Sequence, residues 1–569
     1  MTELELLKAR VAQLQQEKQR VEQDYAHLTT QHQQLRETLS ERELELKLLL
    51  ERFFGRKSER YLADPNQLKL DLGDSDQVDD AIDGIHQAKE ELEIEVPTHR
   101  RRRSGRSREE TFPDHIERTI IVKDLPDEEK EGLRPIGHDS TQTLVYKPGT
   151  LRVIETQYPK YIRPNDVTAG VRQSPRVPGL VEGNRYDTSV AAEIVASKYG
   201  YHQPVYRQQD IFASYGWTPS RSTLLNVLTS AADLIRPLAA YFADTVRGDS
   251  VIGTDDTGVT LLLPKVIPDV DPLDPKSTRV HDVLSRAITE QKKSVKAKMW
   301  AYRGVHIPLN VFDFTVSRHR DGPDLFLIDQ AYEGILLGDC YGANTGIAMR
   351  SSGSIVHAAC VAHARRKVRD ALDNHRVHAT TLLSMFGELY DIEDRGRSLP
   401  VEDRLALRQA EAVLVWDRMR TYLDTKMTNV LPKEAMATAV GYLNNQWEAL
   451  TRYLGDGSIP IDNNETEQLM KQVALGRKNW MFIGSVAAGY RAADLMTLVS
   501  SAIRNDLDVW SYVKGVLDAL LSGSTHYKDF LPDVWAAAHP EQIRHYRKRE
   551  RDQRTARKAN ARRLRRQTQ

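Results

Sequence analysis

Cysteine is nearly absent from this sequence, which contains two among its 569 residues. Cys340 and Cys360 are too few for a disulfide framework, and such a chain is typical of a reducing compartment. We therefore expect a cytoplasmic protein. The sequence also lacks a run of roughly 18 apolar residues, the length that a membrane-spanning helix needs, so we expect no membrane partner. The charged start, MTELELLKAR, is unlike a secretory signal.

Charge is balanced overall but unevenly distributed along the chain. The 80 Lys and Arg residues offset 80 Asp and Glu residues, which gives a formal net charge of zero. Residues 544–569 nevertheless hold 12 basic and 2 acidic residues, and shorter basic runs lie at 100–108 and 365–369. Such segregation lets a neutral protein present basic surfaces to a polyanion. Taken singly, each run also fits a solvated tail or linker.

The first 60 residues predict a coiled coil through which copies of the chain associate. The d positions of a seven-residue repeat are Leu7, Leu14, Val21, Leu28, Leu35, Arg42 and Leu49, of which six are apolar. A sustained seven-residue repeat implies a left-handed supercoil with a partner helix. The alternative is a single long surface helix.

Two segments with weaker patterns follow. Residues 61–110 are polar, first acidic and then basic, and this composition predicts a flexible linker. Residues 111–170 contain β-like runs at 118–122, 143–146 and 151–158, which predict a small β-rich module. Because this module contains no cysteine, a thiolate zinc site within it is excluded.

Residues 171–246 predict a helical DNA-binding region of the helix-turn-helix type. Asp187 can cap a helix that runs to about Tyr199, and a second helix spans about 204–214. A third begins near Pro219, after a turn that contains glycine. This third helix would present polar residues to DNA, among them Arg221, Thr223 and Asn226. Any three-helix packing unit produces the same pattern.

The rest of the chain predicts an α/β core that a long helical segment interrupts. Over 247–372, strand-like runs at 251–263, 298–304, 307–316, 334–342 and 354–363 lead into a helix at 364–372. Residues 373–456 predict helices, 457–521 a second part of the core with further helices, and 522–569 a basic C-terminal tail.

Two aspartates stand where predicted strands end, and one glutamate stands on a predicted helix. A carboxylate at the mouth of a buried strand, as expected for Asp255 and Asp339, needs a cation or a hydrogen-bond donor. The segment 462–465 has the spacing of a capping box, which gives Glu465 a structural role and leaves Glu467 available. Three such carboxylates suit two Mg²⁺ ions, or Mn²⁺, because these ions prefer oxygen ligands. For any single acid, a cap or a surface position is the alternative.

Six short runs occur in a fixed order along the chain. They are FGRKSER (54–60), TDDT (254–257), GDCY (338–341), CVAHARRK (360–367), IDNNETE (461–467) and GRKNWMFIGS (476–485). Together, over roughly residues 1–520, they resemble the IS66 (insertion sequence 66) family of transposases, and their combination is specific.

The resemblance implies a ribonuclease-H-like catalytic core of the DDE type, with a helical insertion before the glutamate. Carried over by motif, the catalytic and metal-binding acids are Asp255, Asp339 and Glu467, with two ions per site. The residues expected to support the site are His363, Asn463 and Asn464. Those expected to contact phosphate or DNA are Arg365, Arg366, Lys367, Lys471, Arg477 and Lys478, for which a solvated helix face is the alternative.

The sequence departs from the family pattern in two places. Asp256 stands where a glutamate usually follows the first acid, so we expect this neighbour to be dispensable. The zinc-binding module of the family lacks its cysteines here, although YKPGTLRV (146–153) resembles its later sequence. Cys340, Cys360 and His363 form a poor alternative, and we expect no zinc.

The resemblance implies a bacterial, nucleoid-associated DNA transposase. Water would cleave a phosphodiester at each element end, and the freed 3′-hydroxyl would then attack target DNA. The partners would be double-stranded DNA, further copies of the chain, and small accessory proteins of the same element. Two alternatives remain, which are a catalytically silent DNA-binding relative and a nuclease without strand transfer.

Overall fold

The computed structural model describes residues 149–157, 159–161, 172–173, 179–181, 186–427 and 430–567. The expected coiled coil of residues 1–60, the linker of 61–110 and most of the β-rich module of 111–170 lie outside these residues. Among the described residues, no helix is both long enough and apolar enough to cross a membrane.

The strands form two sheets of unequal size. The smaller sheet is an antiparallel pair of two-residue strands, β1 (Lys160–Tyr161) and β2 (Arg172–Gln173). The larger sheet has five strands, which are β3 (Val251–Leu262), β4 (Ser294–Gly304), β5 (Asn310–Thr315), β6 (Gly334–Gly338) and β7 (Ile355–Ala359). The five strands predicted over 247–372 are confirmed, with boundaries that differ by a few residues.

Helices make up most of the remaining described chain. The longer ones are α1 (Thr188–Val195), α2 (Val205–Ser214), α3 (Arg221–Arg247), α4 (Ser277–Thr289), α5 (Val361–Arg369), α6 (Arg376–Gly396), α7 (Val401–Leu407), α8 (Val413–Lys426), α9 (Ala435–Asn445), α10 (Asn464–Trp480), α11 (Val486–Arg504), α12 (Val509–Leu521), α13 (Pro532–Ala538) and α14 (His545–Gln567). Shorter helical turns are Asp321–Pro323, Gly342–Thr345, Ile347–Arg350, Trp447–Thr451, Arg452–Gly455, Tyr527–Phe530 and Pro540–Gln542, and π-helical turns are Ala196–Gly200, Asp324–Ile328 and Arg408–Ala412.

The large sheet has the strand order β5-β4-β3-β6-β7. The first three strands along the chain form an antiparallel meander, because β4 pairs antiparallel with both β3 and β5. The last two extend the sheet in parallel from the other side of β3. β4 therefore runs against the other four strands, and β3 is central.

Two hydrophobic cores cover the two faces of this sheet. Successive side chains of a strand point to opposite faces, and neighbouring residues of β3 and β6 divide accordingly. Ile252 and Leu336 belong to the larger core, which also takes in the apolar faces of α3, α11 and α12. Val251 and Leu337 belong to the second core, with α5 and the helices between 376 and 455. The sheet is thus buried on both sides, as central strands of an α/β protein are.

The outer edge of β5 is covered by α11 rather than by another strand. The backbone N–H of Phe312 donates to Thr497 Oγ1 at 2.9 Å, and that of Asn310 donates to Ser501 Oγ at 3.0 Å. Helix hydroxyls therefore satisfy backbone donors that an edge strand would otherwise leave open. This contact connects the C-terminal helices to the sheet.

The structure corrects the sequence-based description of two segments. Residues 151–157 contain no strand, although 151–158 were expected to form one; Val153 and Ile154 are 96% and 76% exposed. No partner strand is present for them within the described residues, so no ladder can form. Phe530 and Trp535 pack into the larger core, so 522–543, expected to belong to the tail, are folded. The basic segment proper is the helix α14.

A buried ion pair holds the helical segment 376–455 together. Arg408 is 1% exposed, and its guanidinium binds both carboxylate oxygens of Glu393 at 2.7 and 2.8 Å. Its Nη1 also donates to the carbonyls of Tyr453 and Asp456 at 3.0 and 2.7 Å. Three parts of the segment therefore meet at one side chain.

Replacement of Arg408 by alanine is expected to lower the free energy of unfolding by about 3–5 kcal/mol, because it leaves Glu393 charged, buried and unpaired. Arg395→Ala is the matched control. Arg395 makes a similar pair with Glu411 in the same segment, but both side chains are nearly half exposed, and the expected loss is about 0–1 kcal/mol. Chemical denaturation of both variants checks this; equal losses would contradict the assigned role of Arg408.

Candidate active site

Asp255 lies inside β3, not at the end of a strand as the sequence led us to expect, whereas Asp339 directly follows the adjacent parallel strand β6. Val251 pairs with Ile335 and Gly253 with Leu337 across β3 and β6. The same sequence offset of 84 residues relates Asp255 on β3 to Asp339, which follows β6 directly. The parallel register thus places the two carboxylates side by side at one edge of the sheet.

Glu467 reaches this edge because α10 packs unusually close to β3. A Cβ atom at Gly253 would overlap the Thr466 hydroxyl and lie 2.8 Å from Asn463 Oδ1. Thr466 and Asn463 are each 2% exposed, and Asn463 Nδ2 donates to the carbonyl of Thr254 at 2.7 Å. The first turn of α10 therefore rests against the residues that precede Asp255.

A second set of contacts fixes the start of α10 against the start of α5. The backbone N–H of Asn463 donates to Cys360 Sγ at 3.2 Å, and that of Val361 donates to the Ile461 carbonyl at 3.1 Å. Cys360 is fully buried, and burial raises the pKa of its thiol to about 12. The thiol is therefore neutral at physiological pH and acts as a structural group.

Asp255 is held where its negative charge is unfavourable. Burial raises the pKa of its carboxyl to about 7, and the charges of Glu467, Asp256 and Asp339 add to this effect. A hydrogen bond from the Asp256 N–H to Asp255 Oδ1, at 2.8 Å, acts in the opposite direction. The effects of Glu467 and Asp339 on this pKa mean that both carboxyls lie within electrostatic range of Asp255.

Asp339 is oriented by donors on one of its two oxygens. Its Oδ1 accepts hydrogen bonds from Asn344 Nδ2 at 2.9 Å and from the Tyr341 N–H at 3.2 Å. Its Oδ2 is 3.7 Å from Arg318 Nη2. One oxygen is thus fixed by hydrogen bonds, while the other faces a cation.

Glu467 faces the first turn of α5. Its Oε1 lies 3.4 Å from His363 Nδ1 and 3.9 Å from Cys360 Sγ, and its Oε2 lies 3.6 Å from Arg366 Nη2. His363 and Arg366 are one helical turn apart and therefore lie on the same face of α5. Glu467 therefore faces an imidazole nitrogen, a thiol and a guanidinium group.

Asp256, which the sequence led us to regard as dispensable, forms ion pairs with two basic side chains. Its side chain is 4% exposed and lies 2.7 Å from Lys298 Nζ. Its Oδ1 also accepts from Arg318 Nε at 3.0 Å and lies 2.9 Å from Nη2. Loss of this carboxylate would leave two cations without their partner. Sequence patterns missed Arg318 and Lys298 because neither belongs to a motif run.

The other basic residues singled out in the sequence differ in their surroundings. Arg477 is engaged internally, since its Nη1 donates to Thr257 Oγ1 at 3.0 Å and to the Gly258 carbonyl. Arg365 lies over the ring of Tyr390 at 5.8 Å. Three further residues are exposed and form no ion pair within the part of the chain that the structure describes: Lys367, Lys471 and Lys478.

The expected DNA-reading residues lie at the start of α3. Ser220 caps this helix by accepting from the Thr223 N–H at 3.1 Å, while Arg221 and Asn226 are exposed. Gly216, with φ of 90°, supplies the turn after α2. α3 continues for 27 residues into the larger core. Among the described residues, no contact joins these side chains to the three acids.

Two details around α10 and the cysteines differ from the sequence-based description. Glu465 does not complete a capping box, because it pairs with Arg303 of β4 and is 71% exposed. Asn464 is exposed and forms hydrogen bonds with Asp462 instead of contacting the site.

The two cysteines have different surroundings. Cys340 accepts a hydrogen bond from Tyr442 at 3.1 Å. The potential ligand atoms of Cys360, His363 and Glu467 lie within 4.8 Å of one another, and Cys340 does not belong to this group.

With the fold and the acids located, comparison with known proteins places the chain in a family. A family model described as "Transposase IS66 family" matches residues 183–267 and 278–491, which is more than half of the chain and includes all three acids. The chain belongs to the IS66 family of transposases, enzymes that act on DNA. A second model, described as "Transposase C of IS166 homeodomain", matches residues 43–121 and supports DNA as a partner.

Similar full-length relatives occur in Sinorhizobium fredii (strain NBRC 101917 / NGR234). The uncharacterised protein y4jD is 31% identical over 83% of this chain and 90% of its own length. The uncharacterised proteins y4hP and y4qI are 26% and 28% identical over 87% and 84% of this chain. The likeness therefore extends well beyond the motif runs.

Gly253→Ala is expected to lower the free energy of unfolding by about 1–3 kcal/mol, because the added methyl group must push α10 away from β3. Gly258→Ala on the same strand is the control, since a Cβ there meets no atom within 4 Å. Thermal unfolding of both variants measures the difference. Equal stability of the two variants would show that α10 does not pack tightly at Gly253.

Asp255→Asn is expected to raise the melting temperature in EDTA at pH 8, by roughly 2–4 °C. The pKa of Asp255 in the folded protein, about 7, lies above the ordinary value of 3.8. Ionisation of Asp255 therefore lowers the free energy of unfolding progressively between pH 3.8 and pH 7, and the full loss is present above pH 7. The gain should therefore shrink towards pH 4. Calorimetry at both pH values checks this, with Asp233→Asn on the exposed face of α3 as control. A gain that does not depend on pH would contradict the assignment.

Proposed function

We propose that this chain is a DDE transposase whose catalytic acids are Asp255, Asp339 and Glu467. The observation that carries the proposal is their meeting from three separate elements, two adjacent strands and one helix, although 84 and 128 residues of sequence separate them. In the proposed reaction, water attacks a phosphodiester at each element end, and the freed 3′-hydroxyl attacks target DNA.

We propose further that the five-stranded sheet is a ribonuclease-H-like core. In support, an antiparallel meander of three strands is followed by two parallel strands, with β3 in the centre and β4 reversed. Residues 373–456 are the helical insertion of this core, and their helices share a hydrophobic cluster with α5 and one face of the sheet. In this interpretation the insertion separates the second aspartate from the glutamate without disturbing the sheet.

The donor set fits divalent metal ions of the Mg²⁺ or Mn²⁺ type. All three groups are carboxylates, the ligands that these ions prefer. The raised pKa of Asp255 and the 3.7 Å approach of Arg318 to Asp339 mark a site whose negative charge calls for a cation. Two bound ions would supply charge neutralisation and activation of the attacking oxygen. Asp255, Asp339 and Glu467 would hold them.

The neighbouring side chains keep the acids in place. Asn344 and the Tyr341 N–H fix one oxygen of Asp339, so that the other is directed towards the site. Asn463 fixes the start of α10 and thereby the position of Glu467. His363 and Arg366 surround Glu467, and Arg366, half exposed, is placed to meet a DNA phosphate near it. Such pre-positioned groups lower the reorganisation that catalysis requires.

We propose double-stranded DNA, both element ends and target, as the substrate, bound in a complex that contains more than one copy of the chain. The exposed cations Lys367, Lys471 and Lys478 lie on the helices that carry or contact Glu467 and suit the DNA backbone. Self-association through residues 1–60, accessory proteins of the same element and a nucleoid location complete the proposal.

The test is strand transfer by the purified chain with Mg²⁺ or Mn²⁺ and DNA ends taken from either side of its own gene. Asp339→Asn and Glu467→Gln should abolish joined products, a loss of at least a hundredfold, because each removes a charged ligand while keeping its shape. Asp233→Asn, which changes an exposed acid on α3, should retain wild-type activity.

Each alternative function predicts a different outcome of this assay. A silent DNA-binding relative would bind the ends without cutting them under any metal condition. A nuclease would cut the ends without joining them to target DNA. Joined products from Asp339→Asn or Glu467→Gln would refute the assignment of those acids.

A further inference from the structure

Arg318 is a cation built into the edge of the acid cluster, and none of the motif runs contains it. It lies in the loop after β5 and is 39% exposed. Asp256 holds the guanidinium from one side through Nε and Nη2, at 3.0 and 2.9 Å. Because Asp256 is 4% exposed and is anchored in turn by Lys298, the guanidinium has a rigid support.

Tyr341 fixes the same side chain from a second direction. The Arg318 guanidinium carbon lies 3.8 Å from the centroid of the Tyr341 ring, which is a close cation–π contact. The Tyr341 hydroxyl also donates to the Arg318 carbonyl at 3.0 Å. Since Tyr341 follows Asp339 by two residues, the contact ties the arginine loop to the end of β6.

These contacts leave part of the guanidinium available. Nε and Nη2 face Asp256, and Nη2 is also 3.7 Å from Asp339 Oδ2, the oxygen that the Asn344 side chain does not occupy. Nη1 has no hydrogen-bond partner among the residues that the structure describes. Arginine binds phosphate through several N–H groups in a planar fork, and a fixed fork loses little entropy on binding.

We propose that Arg318 is a phosphate-binding residue, which donates to a non-bridging oxygen of the phosphodiester that the acids cleave. This assignment rests on the proposed transposase function and adds a residue to it. It also gives Asp256 a role as a positioning residue, because Asp256 sets the direction of the guanidinium. A phosphate bound at Nη1 would lie beside the acid cluster, so the arginine offsets the charge repulsion between the phosphate and the acids.

The experiment measures binding of the full chain to a DNA end in EDTA, so that affinity is separated from turnover and from any contact between bound ions and the phosphate. One duplex carries natural phosphates, and the other carries a single neutral methylphosphonate at the cleavage position. Wild type should bind the second duplex about tenfold more weakly, as expected for loss of one hydrogen bond between charged groups. Arg318→Gln should bind the natural duplex about tenfold more weakly and show no further loss on the methylphosphonate.

Two further variants test the positioning role of Asp256 and control for the loss of a positive charge. Asp256→Asn keeps the shape of the support but weakens its hold on the guanidinium, and it should reduce the methylphosphonate penalty. Arg395→Gln removes the same positive charge from an exposed arginine of the helical insertion. This variant should keep the full tenfold loss of affinity for the methylphosphonate duplex. Melting temperatures of all variants show whether they are folded.

The outcomes separate this assignment from the proposed function. A full methylphosphonate penalty that persists in Arg318→Gln would overturn the role of Arg318 alone, and would leave it as a structural partner of Asp256. Wild type that neither discriminates between the duplexes nor cuts the natural one with Mg²⁺ or Mn²⁺ would overturn the proposed function, and this assignment with it.

Discussion

The close contact between α10 and β3 at Gly253 is the constraint on which the candidate site depends. Asp255 and Asp339 are placed by the parallel register of β3 and β6, which backbone hydrogen bonding enforces. Glu467 has no such register and depends on packing. Its position requires a residue without a side chain at 253, a buried Thr466 against that residue, and the amide of Asn463 on the Thr254 carbonyl. These contacts lie one to four residues from Glu467 or Asp255, so small shifts in them would change the distances between the acids.

The electrostatics of the site follow from this convergence. Several negative charges collect at one edge of a buried sheet, and the fold meets them with cations and donors from separate elements. Arg318 lies beside Asp339, Arg366 and His363 lie beside Glu467, and Lys298 supports Asp256. Burial and the neighbouring acids raise the pKa of Asp255 to about 7. Sites that bind charged ligands commonly lower the stability of the folded protein in this way.

Much of the core could be predicted from the sequence, because it rests on local patterns. The strands at 251–262 and 355–359 are rich in β-branched or apolar residues, and α10, α11 and α12 lie within 457–521, where helices were expected. α4 was missed because it lies in a Pro-rich, polar connection between two strands. The roles of Asp256 and Arg318 could not be predicted, since 62 residues separate them and their contact arises only when β4 and β5 fold back beside β3. Glu465 fitted a local capping rule, but its long-range pairing with Arg303 prevailed.

The central claim is that three acids from β3, β6 and α10 form one metal site, and anomalous scattering from crystals of the protein grown with Mn²⁺ tests it most directly. The account predicts two Mn²⁺ ions whose protein ligands are carboxylate oxygens of Asp255, Asp339 and Glu467. Mn²⁺ bound to Cys360, His363 and Glu467 without either aspartate, or bound away from all three acids, would contradict it.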